Sequence, residues 1–250
     1  MTTKLLSIDT NAKTVKGQKY GYLTGILYMS PSDLSGVNLC PMAKVAKCEE
    51  ACLYTAGRGA FNNVQQARLR KATWFNTDKQ GFMQQLVKDI QALQRKAYKL
   101  GLTPLVRLNG TTDIRWESIT FDHTYSNGQT ESVTIFDLFT DLQFYDYTKI
   151  SNRKDIPANY DLTFSYSGVK GYQVHVLKAI AKRMRIAVVF QSKKTIPETF
   201  LGMPVLDGDD SDIRVNDPHG CIVALYAKGK ARKDTSGFVV RFPMFTFKVI

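Results

Sequence analysis

Segments with the pattern of β-strands alternate with segments of helical periodicity along most of this 250-residue chain. Apolar residues recur at helical spacing over 64–100, whereas 186–190 is a short apolar run, Ile-Ala-Val-Val-Phe. When strands and helices alternate, each helix returns the chain to the start of the next strand, so the strands pair in parallel. We therefore predict a single α/β domain over 1–250, built as a complete or partial (β/α) barrel. An open doubly wound sheet is the main alternative.

Individual elements are placed from the same patterns and from their end signals. The predicted strands cover 20–29, 105–108, 143–149, 162–166, 186–190, 205–206 and 222–226, with one or two more over 238–250. The predicted helices are a pair within 64–100, one or two turns within 135–142, and a basic amphipathic helix over 174–185. Thr77 or Asp78 is expected to cap the second helix of the pair, and Gly101 to end it. Asn127-Gly128 predicts the turn of a small antiparallel hairpin.

The net charge suggests a partner that carries phosphate groups. The chain has 34 Lys and Arg residues against 22 Asp and Glu residues, which gives a formal net charge of +12. A cationic surface gains affinity for nucleic acid by releasing counterions from the phosphates. Three basic clusters occur: Arg58, Arg68, Arg70 and Lys71; Lys178, Lys182, Arg183 and Arg185; and Lys228, Lys230, Arg232 and Lys233. The alternative is that the excess charge covers solvated faces and serves only solubility.

The second cluster is the predicted nucleic acid contact, because its cations recur at helical spacing within 174–185. Val174 and Leu177 are among the apolar residues expected to form the buried side of that helix. The competing interpretation is the solvated outer face of a crossover helix.

Neither a membrane span nor a secretory signal is expected. The longest apolar runs fall far short of the ~20 residues that cross a bilayer. The first nine residues, Met1 to Asp9, contain no apolar core of the kind that a signal peptide requires. The sequence therefore predicts a cytoplasmic protein.

Three of the four cysteines are close in sequence: Cys40, Cys48 and Cys52 are spaced C-x7-C-x3-C, and Cys221 stands apart. A disulfide framework is not expected in a reducing compartment. If 44–53 is helical, the second and third of these thiols lie one turn apart on one face, and the first can reach them from the preceding loop. Three converging thiolates suit an iron–sulfur cluster with one open iron site, or a zinc site completed elsewhere. The alternative is three unconnected cysteines that pack as small hydrophobes.

Polar residues also follow two predicted strands. Asn109 and Asp113 come after 105–108, and Asp146 and Lys149 end the strand over 143–149. In α/β proteins the groups that do chemistry gather at the carboxyl ends of strands, so these four are candidate catalytic residues. Helix capping and turn formation are equally good explanations for them.

A second candidate metal site is acidic. Asp207, Asp209 and Asp212 crowd together after a strand, and carboxylates are ligands that Mg²⁺ and Ca²⁺ prefer. An exposed acidic turn, partly paired with Arg214, is the more frequent explanation. His219, two residues before Cys221, is a candidate fourth zinc ligand. No G-x-S-x-G elbow, Walker loop, G-x-G-x-x-G or H-E-x-x-H occurs, so the common hydrolase, nucleotide and metalloprotease templates fail.

An ordered set of motifs runs along the first half of the chain: Asn11 to Thr14, Leu39-Cys40-Pro41, Cys48-x3-Cys52-Leu53-Tyr54, Gly57-Arg58-Gly59, Val64 to Arg70, and Val106 to Gly110 before Asp113. This set resembles the phage proteins called the gene product 88 family. The resemblance covers about the first half of the chain. That family is similar to radical S-adenosylmethionine enzymes, and the resemblance implies an α/β barrel whose cysteine loop after the first strand holds a four-iron cluster. Those enzymes usually space their cysteines C-x3-C-x2-C, and this chain has a Thr112-Asp113 pair where the family tends to have Gly-Asp.

The leading hypothesis from these observations is a phage protein, cytoplasmic in the infected host cell, that holds an iron–sulfur cluster through Cys40, Cys48 and Cys52. S-adenosylmethionine is a candidate second cofactor. A second hypothesis is a nucleic-acid-binding or nucleic-acid-processing protein, with its basic clusters on phosphates and a divalent ion at the acidic segment. A third is a zinc-stapled interaction protein without catalysis. Whether the chain is an enzyme, and how many copies assemble, stay open at this point.

Overall fold

The fold is described from a computed structural model that covers residues 4–9 and 12–241. The strands in this part of the chain are β1 (Leu6–Ile8), β2 (Tyr22–Leu27), β3 (Thr103–Arg107), β4 (Thr120–Thr124), β5 (Thr130–Thr134), β6 (Gln143–Thr148), β7 (Tyr160–Ser165), β8 (Ile186–Phe190), β9 (Thr199–Phe200), β10 (Met203–Asp207) and β11 (Ile222–Tyr226). The helices are α1 (Ala12–Gly17), α2 (Asn62–Thr77), α3 (Lys79–Leu100), α4 (Ile135–Leu138) and α5 (Gln173–Ala181). The predicted mixed α/β fold is confirmed.

Nine of the described strands form one sheet in the order β1-β2-β3-β6-β7-β8-β11-β10-β9. All neighbouring pairs from β2 to β10 are parallel, and only β1 and β9 at the two edges run antiparallel to their neighbours. The described strands do not pair edge to edge, so the complete barrel is not confirmed. Because the inner strands are parallel, their carboxyl ends lie along one border of the sheet, which runs across the strands from β1 to β9. This border is called the carboxyl edge, and the loops that follow the strands meet there.

The α2–α3 pair covers one face of the sheet. Helix α3 packs against β1, β2 and β3, and its Leu86 and Ile90 share an apolar core with Val106 and Phe144 from the strands. All four side chains are fully buried, and burial of each stabilises the fold by roughly 1.5–3 kcal/mol.

The ends of α3 follow the predicted signals. The Asp78 carboxylate caps the helix by accepting a hydrogen bond from the Gly81 backbone N–H at 2.9 Å. At the other end Gly101 takes the left-handed conformation, with φ of 64°, that closes a helix. The hairpin prediction is also confirmed, because β4 and β5 are joined by a turn in which Gly128 has φ of 84°.

The opposite face of the sheet carries buried polar side chains beside apolar ones such as Leu105 and Val223, a mixture that is unusual for a parallel sheet. Thr24, Arg107, Tyr145 and Thr163 are buried on it. It is crossed by an irregular segment, residues 208–217, here called the strap.

Ion pairs and hydrogen bonds at several points anchor the strap. Its Asp212 pairs with the Arg107 guanidinium, and both side chains are more than nine-tenths buried. Near the amino end of β2, Tyr20 Oη donates to Asp210 at 2.6 Å and Tyr22 Oη donates to Asn216 at 3.1 Å. The strap is also held by the Asp209–Lys228 ion pair and by Arg185 Nη1, which donates to the Asp217 carbonyl oxygen at 3.0 Å. Buried and exposed contacts together therefore hold it across this face of the sheet.

The helix predicted over 174–185 needs correction. The basic helix over 174–185 ends at Ala181, because Arg183 takes a left-handed φ of 52° and the chain turns into β8. Val174 and Leu177, expected on its buried side, are 51% and 64% exposed. Of the strands predicted over 238–250, the described part contains only an isolated bridge from Val240 to Phe190, and 242–250 lie outside the described residues.

Candidate functional site

The cysteine segment, residues 39–54, follows β2 and lies where the loops after the parallel strands meet. Its central part is a single turn rather than the predicted helix over 44–53. Lys47 has a left-handed φ of 52°, its N–H donates to the Lys44 carbonyl, and the Cys48 N–H donates to the Ala43 carbonyl. This pair of hydrogen bonds is the Schellman pattern that ends a helix. Cys48 and Cys52 therefore do not share a helical face.

The three thiols nevertheless lie within electrostatic range of one another. Burial is the main cause that raises the pKa of Cys40 to about 12 and the pKa of Cys48 to about 11, and negative charge on Cys52 raises both further. Burial likewise raises the pKa of Cys52. The thiols are therefore neutral near pH 7 when no metal binds them.

Backbone groups make weak polar contacts with the three thiols. Cys40 Sγ lies 3.8 Å from the Thr111 carbonyl oxygen, Cys48 Sγ lies 3.8 Å from that of Ala43, and Cys52 Sγ accepts from the Tyr54 N–H at 3.5 Å. The first contact links the cysteine segment to the loop after β3.

Lys149 places a buried ammonium group beside these thiols. Its Nζ donates to Ser165 Oγ at 3.0 Å and to the Ser165 and Tyr166 carbonyl oxygens, and it lies 4.8 Å from the centre of the Phe238 ring and 5.4 Å from that of Tyr172. Burial lowers the pKa of Lys149, while the negative charge of Cys48 and Asp113 opposes that shift. Conversely, the Lys149 charge lowers the pKa of Cys48.

Asp113 joins the loop after β3 to the end of β6. Its carboxylate accepts from Thr148 Oγ1 at 2.8 Å and from the Lys149 N–H at 2.7 Å, and Arg153 lies 3.9 Å away. Burial raises the pKa of Asp113 against these favourable contacts. Arg153 is itself paired with Glu117, a contact that no sequence motif signals.

Asn109 and Asp146 also lie in this region, and their side-chain oxygens accept hydrogen bonds from backbone N–H groups of the loop after β3. Asn109 Oδ1 accepts from Thr112, from the Ile114 N–H and from Trp116 Nε1. Asp146 accepts from the Leu108 and Asn109 N–H groups at 3.1 and 2.9 Å and from Tyr160 Oη at 3.0 Å. Burial raises the pKa of Asp146 to about 6. These two side chains hold the loop after β3 in place.

The model of one protein family, Gene product 88, matches residues 4–241 of the chain. The chain belongs to the Gene product 88 family. Neither the curated proteins nor the solved structures include a match to it.

In this Gene product 88 protein, no group of three His, Cys, Asp or Glu side chains within the described residues is arranged to hold a metal ion. The acidic segment is divided among separate cations: Asp207 pairs with Lys193 at 3.0 Å, Asp209 pairs with Lys228 at 2.7 Å, and Asp212 pairs with Arg107. A divalent ion at these three carboxylates is therefore not supported.

His219 and Cys221 lie before the amino end of β11, on the opposite side of the sheet from the other cysteines. They therefore cannot complete a metal site with Cys40, Cys48 and Cys52. Cys221 immediately precedes β11, at its amino end, whereas the cysteine segment follows the carboxyl end of β2. Because both strands belong to the parallel part of the sheet, these ends lie at opposite edges. Cys221 is buried and donates a weak hydrogen bond to the Pro218 carbonyl at 3.1 Å.

The predicted nucleic-acid-binding helix does not present its four cations on one surface. Lys178, Lys182 and Arg183 are exposed, but Arg185 is only 1% exposed and pairs with Asp161. Helical spacing fails here because the helix ends four residues before Arg185.

Among the helices in the described part of the Gene product 88 protein, none is long and apolar enough to cross a membrane.

Proposed function

We propose that this Gene product 88 protein binds an iron–sulfur cluster through Cys40, Cys48 and Cys52 at the edge of the sheet where the parallel strands end. The single observation that carries the proposal is the placement of three mutually coupled, half-buried thiols beside the buried Lys149 ammonium. Zinc at the same thiols is the alternative, and the experiment below separates the two.

The donor set suits a soft metal centre. Thiolates are the usual protein ligands of iron–sulfur clusters, and three of them leave one iron of a four-iron cluster without a protein ligand. Loading requires the thiols to ionise and to converge further than they do in this structure. The segment that carries them is built of short turns, which permits this adjustment more readily than a continuous helix would.

The surrounding residues have distinct tasks in the proposal. Lys149 supplies a fixed positive charge that offsets part of the charge on the thiolates. Asp113 sets the position of Lys149 through the backbone N–H of that residue, and Arg153 balances the Asp113 carboxylate. Asn109 and Asp146 hold the loop that contacts Cys40. When bound, a cluster of this kind would supply one-electron transfer. The resemblance to radical S-adenosylmethionine enzymes implies that the electron would be used to cleave a sulfonium reductively.

S-adenosylmethionine is the sulfonium that the resemblance implies, and we include its binding at the open iron in the proposal. Adding it to the reduced, loaded protein is expected to change the electron paramagnetic resonance spectrum. An unchanged spectrum would restrict the centre to electron transfer or to a structural role.

Single cysteine substitutions test the ligand assignment. After anaerobic reconstitution with iron and sulfide, Cys40→Ser, Cys48→Ser and Cys52→Ser are each expected to lose most of the bound iron, because each removes one of three thiolate ligands. Cys221→Ser is the matched control and is expected to keep the wild-type iron content, since Cys221 lies at the opposite edge of the sheet. Equal iron content in all four variants would overturn the assignment.

A further inference from the structure

Two basic segments that are far apart in sequence pack together beside the cysteine segment. The turn over Gly229–Lys233 lies against the turn Leu53–Thr55. A Cβ at Gly229 would lie only 3.0 Å from the Cβ of Ala56, which shows how closely the two turns approach. Further along, Ser236 Oγ lies 3.4 Å from the Lys47 carbonyl oxygen. The third basic cluster of the sequence therefore borders the proposed thiol site.

This packing brings together five exposed cations, here called the rim cations: Lys47, Arg58, Lys230, Arg232 and Lys233. Within the described residues, no carboxylate lies within salt-bridge distance of any of them, whereas the neighbouring Lys228 is paired with Asp209. Asp234 follows the last rim cation, but its carboxylate accepts from Ser236 Oγ at 2.6 Å and from the Val239 N–H at 2.9 Å. Glu50, three residues after Lys47, is exposed but forms no ion pair with a rim cation, so the five cations stay unpaired with carboxylates in the described part of the chain.

Two large apolar side chains are exposed nearby, one on the turn Leu53–Thr55 and one just after the turn Gly57–Ala60 that carries Arg58. Leu53 is 59% exposed and Phe61 is 60% exposed, and the Phe61 N–H donates to the Arg58 carbonyl. An exposed aromatic ring beside unpaired cations is the combination that binds single-stranded nucleic acid, because cations contact phosphates while unpaired bases stack on the ring.

We propose that the rim cations bind the phosphate backbone of a single-stranded nucleic acid, with Phe61 available to a base. This moves the nucleic-acid-binding surface from helix α5 to the edge of the sheet that carries the cysteines. Binding does not depend on a metal centre; only the use of the bound strand as substrate rests on the proposed function.

A matched pair of triple variants tests the surface. The rim variant is Lys230→Gln, Arg232→Gln and Lys233→Gln. The control variant is Lys178→Gln, Lys182→Gln and Arg183→Gln, which also removes two lysines and one arginine, all exposed, from the end of α5. Both variants have the same net charge, so any difference between them reports the position of the charge and not its amount.

Binding is measured on metal-free protein by fluorescence anisotropy of labelled oligo-dT at several salt concentrations. The rim variant is expected to bind at least ~10-fold more weakly than wild type, and its salt dependence to fall by about two units of log–log slope, as three lost phosphate contacts on a single strand require. The control variant is expected to stay within about 3-fold of wild type. Phe61→Ala is expected to weaken oligo-dT binding while leaving the salt slope unchanged.

Three results would overturn the proposal: no binding of oligo-dT at low salt, equal weakening in the two triple variants, or binding to anionic phosphatidylserine vesicles that oligo-dT does not compete away. The last would identify a membrane surface as the partner. The rim variant is also expected to retain the wild-type iron content after reconstitution. Loss of nucleic acid binding and loss of the metal centre are therefore separable.

Discussion

Zinc binding to the three thiols is expected to release about three protons per metal ion at neutral pH. Burial raises the pKa of Cys40 to about 12 and that of Cys48 to about 11, and it also raises the pKa of Cys52, so all three thiols carry their protons in the metal-free chain. A metal that binds thiolates must displace those protons. The apparent affinity therefore rises with pH by up to about 10³-fold per unit, and it levels off only as the pH approaches the raised thiol pKa values.

Proton release is measured by titrating Zn²⁺ into weakly buffered protein with a pH indicator, with calorimetry in two buffers as a check. Cys221→Ser is expected to release the same number of protons as wild type. Lys149→Met is expected to weaken zinc binding at neutral pH, because loss of that positive charge raises the pKa of Cys48 further. Release of fewer than about two protons per zinc would contradict binding at the three thiols.

Removal of the Asp212 carboxylate is expected to lower the free energy of unfolding by about 3–5 kcal/mol, because it leaves the buried Arg107 guanidinium without its strap partner. Both side chains are more than nine-tenths buried, and the next carboxylate, Asp146, lies 3.9 Å from Arg107 Nε. Urea denaturation of Asp212→Ala against wild type gives the difference directly.

Asp210→Ala is the matched control on the same strap. Asp210 is exposed and accepts one hydrogen bond, from Tyr20, so its loss is expected to cost less than about 1 kcal/mol. The double variant Arg107→Met with Asp212→Leu removes both charges and is expected to recover much of the lost stability. Equal destabilisation by the two single aspartate substitutions would show that the buried pair does not anchor the strap.

Sequence periodicity locates most of the fold because the determining contacts are local. The break between α2 and α3 is visible at Asp78, since a capping carboxylate acts on the N–H groups two or three residues ahead. The alternation of strands and helices predicts the parallel sheet. It does not predict whether the sheet closes, because closure depends on how β1 and β9 at the edges are paired.

The site is less visible in the sequence because long-range contacts build it. The helix expected over 44–53 is ended by the left-handed backbone of Lys47, a conformation that Lys rarely signals. Arg185 is spaced as a helical surface residue, yet it pairs with Asp161 from another strand. The sequence pattern around Lys149 also gives no sign that this residue lies beside the cysteines, because the cysteines precede it by about a hundred residues. The resemblance carried by the cysteine motifs, in contrast, leads to the family that the match over residues 4–241 confirms.

The most direct test of the thiol centre is the iron and acid-labile sulfide content of the protein purified without oxygen. We predict brown protein with broad absorbance near ~400 nm and iron and sulfide in equal, stoichiometric amounts. Colourless protein that contains one zinc ion per chain, or no metal after reconstitution with iron and sulfide, would contradict the account.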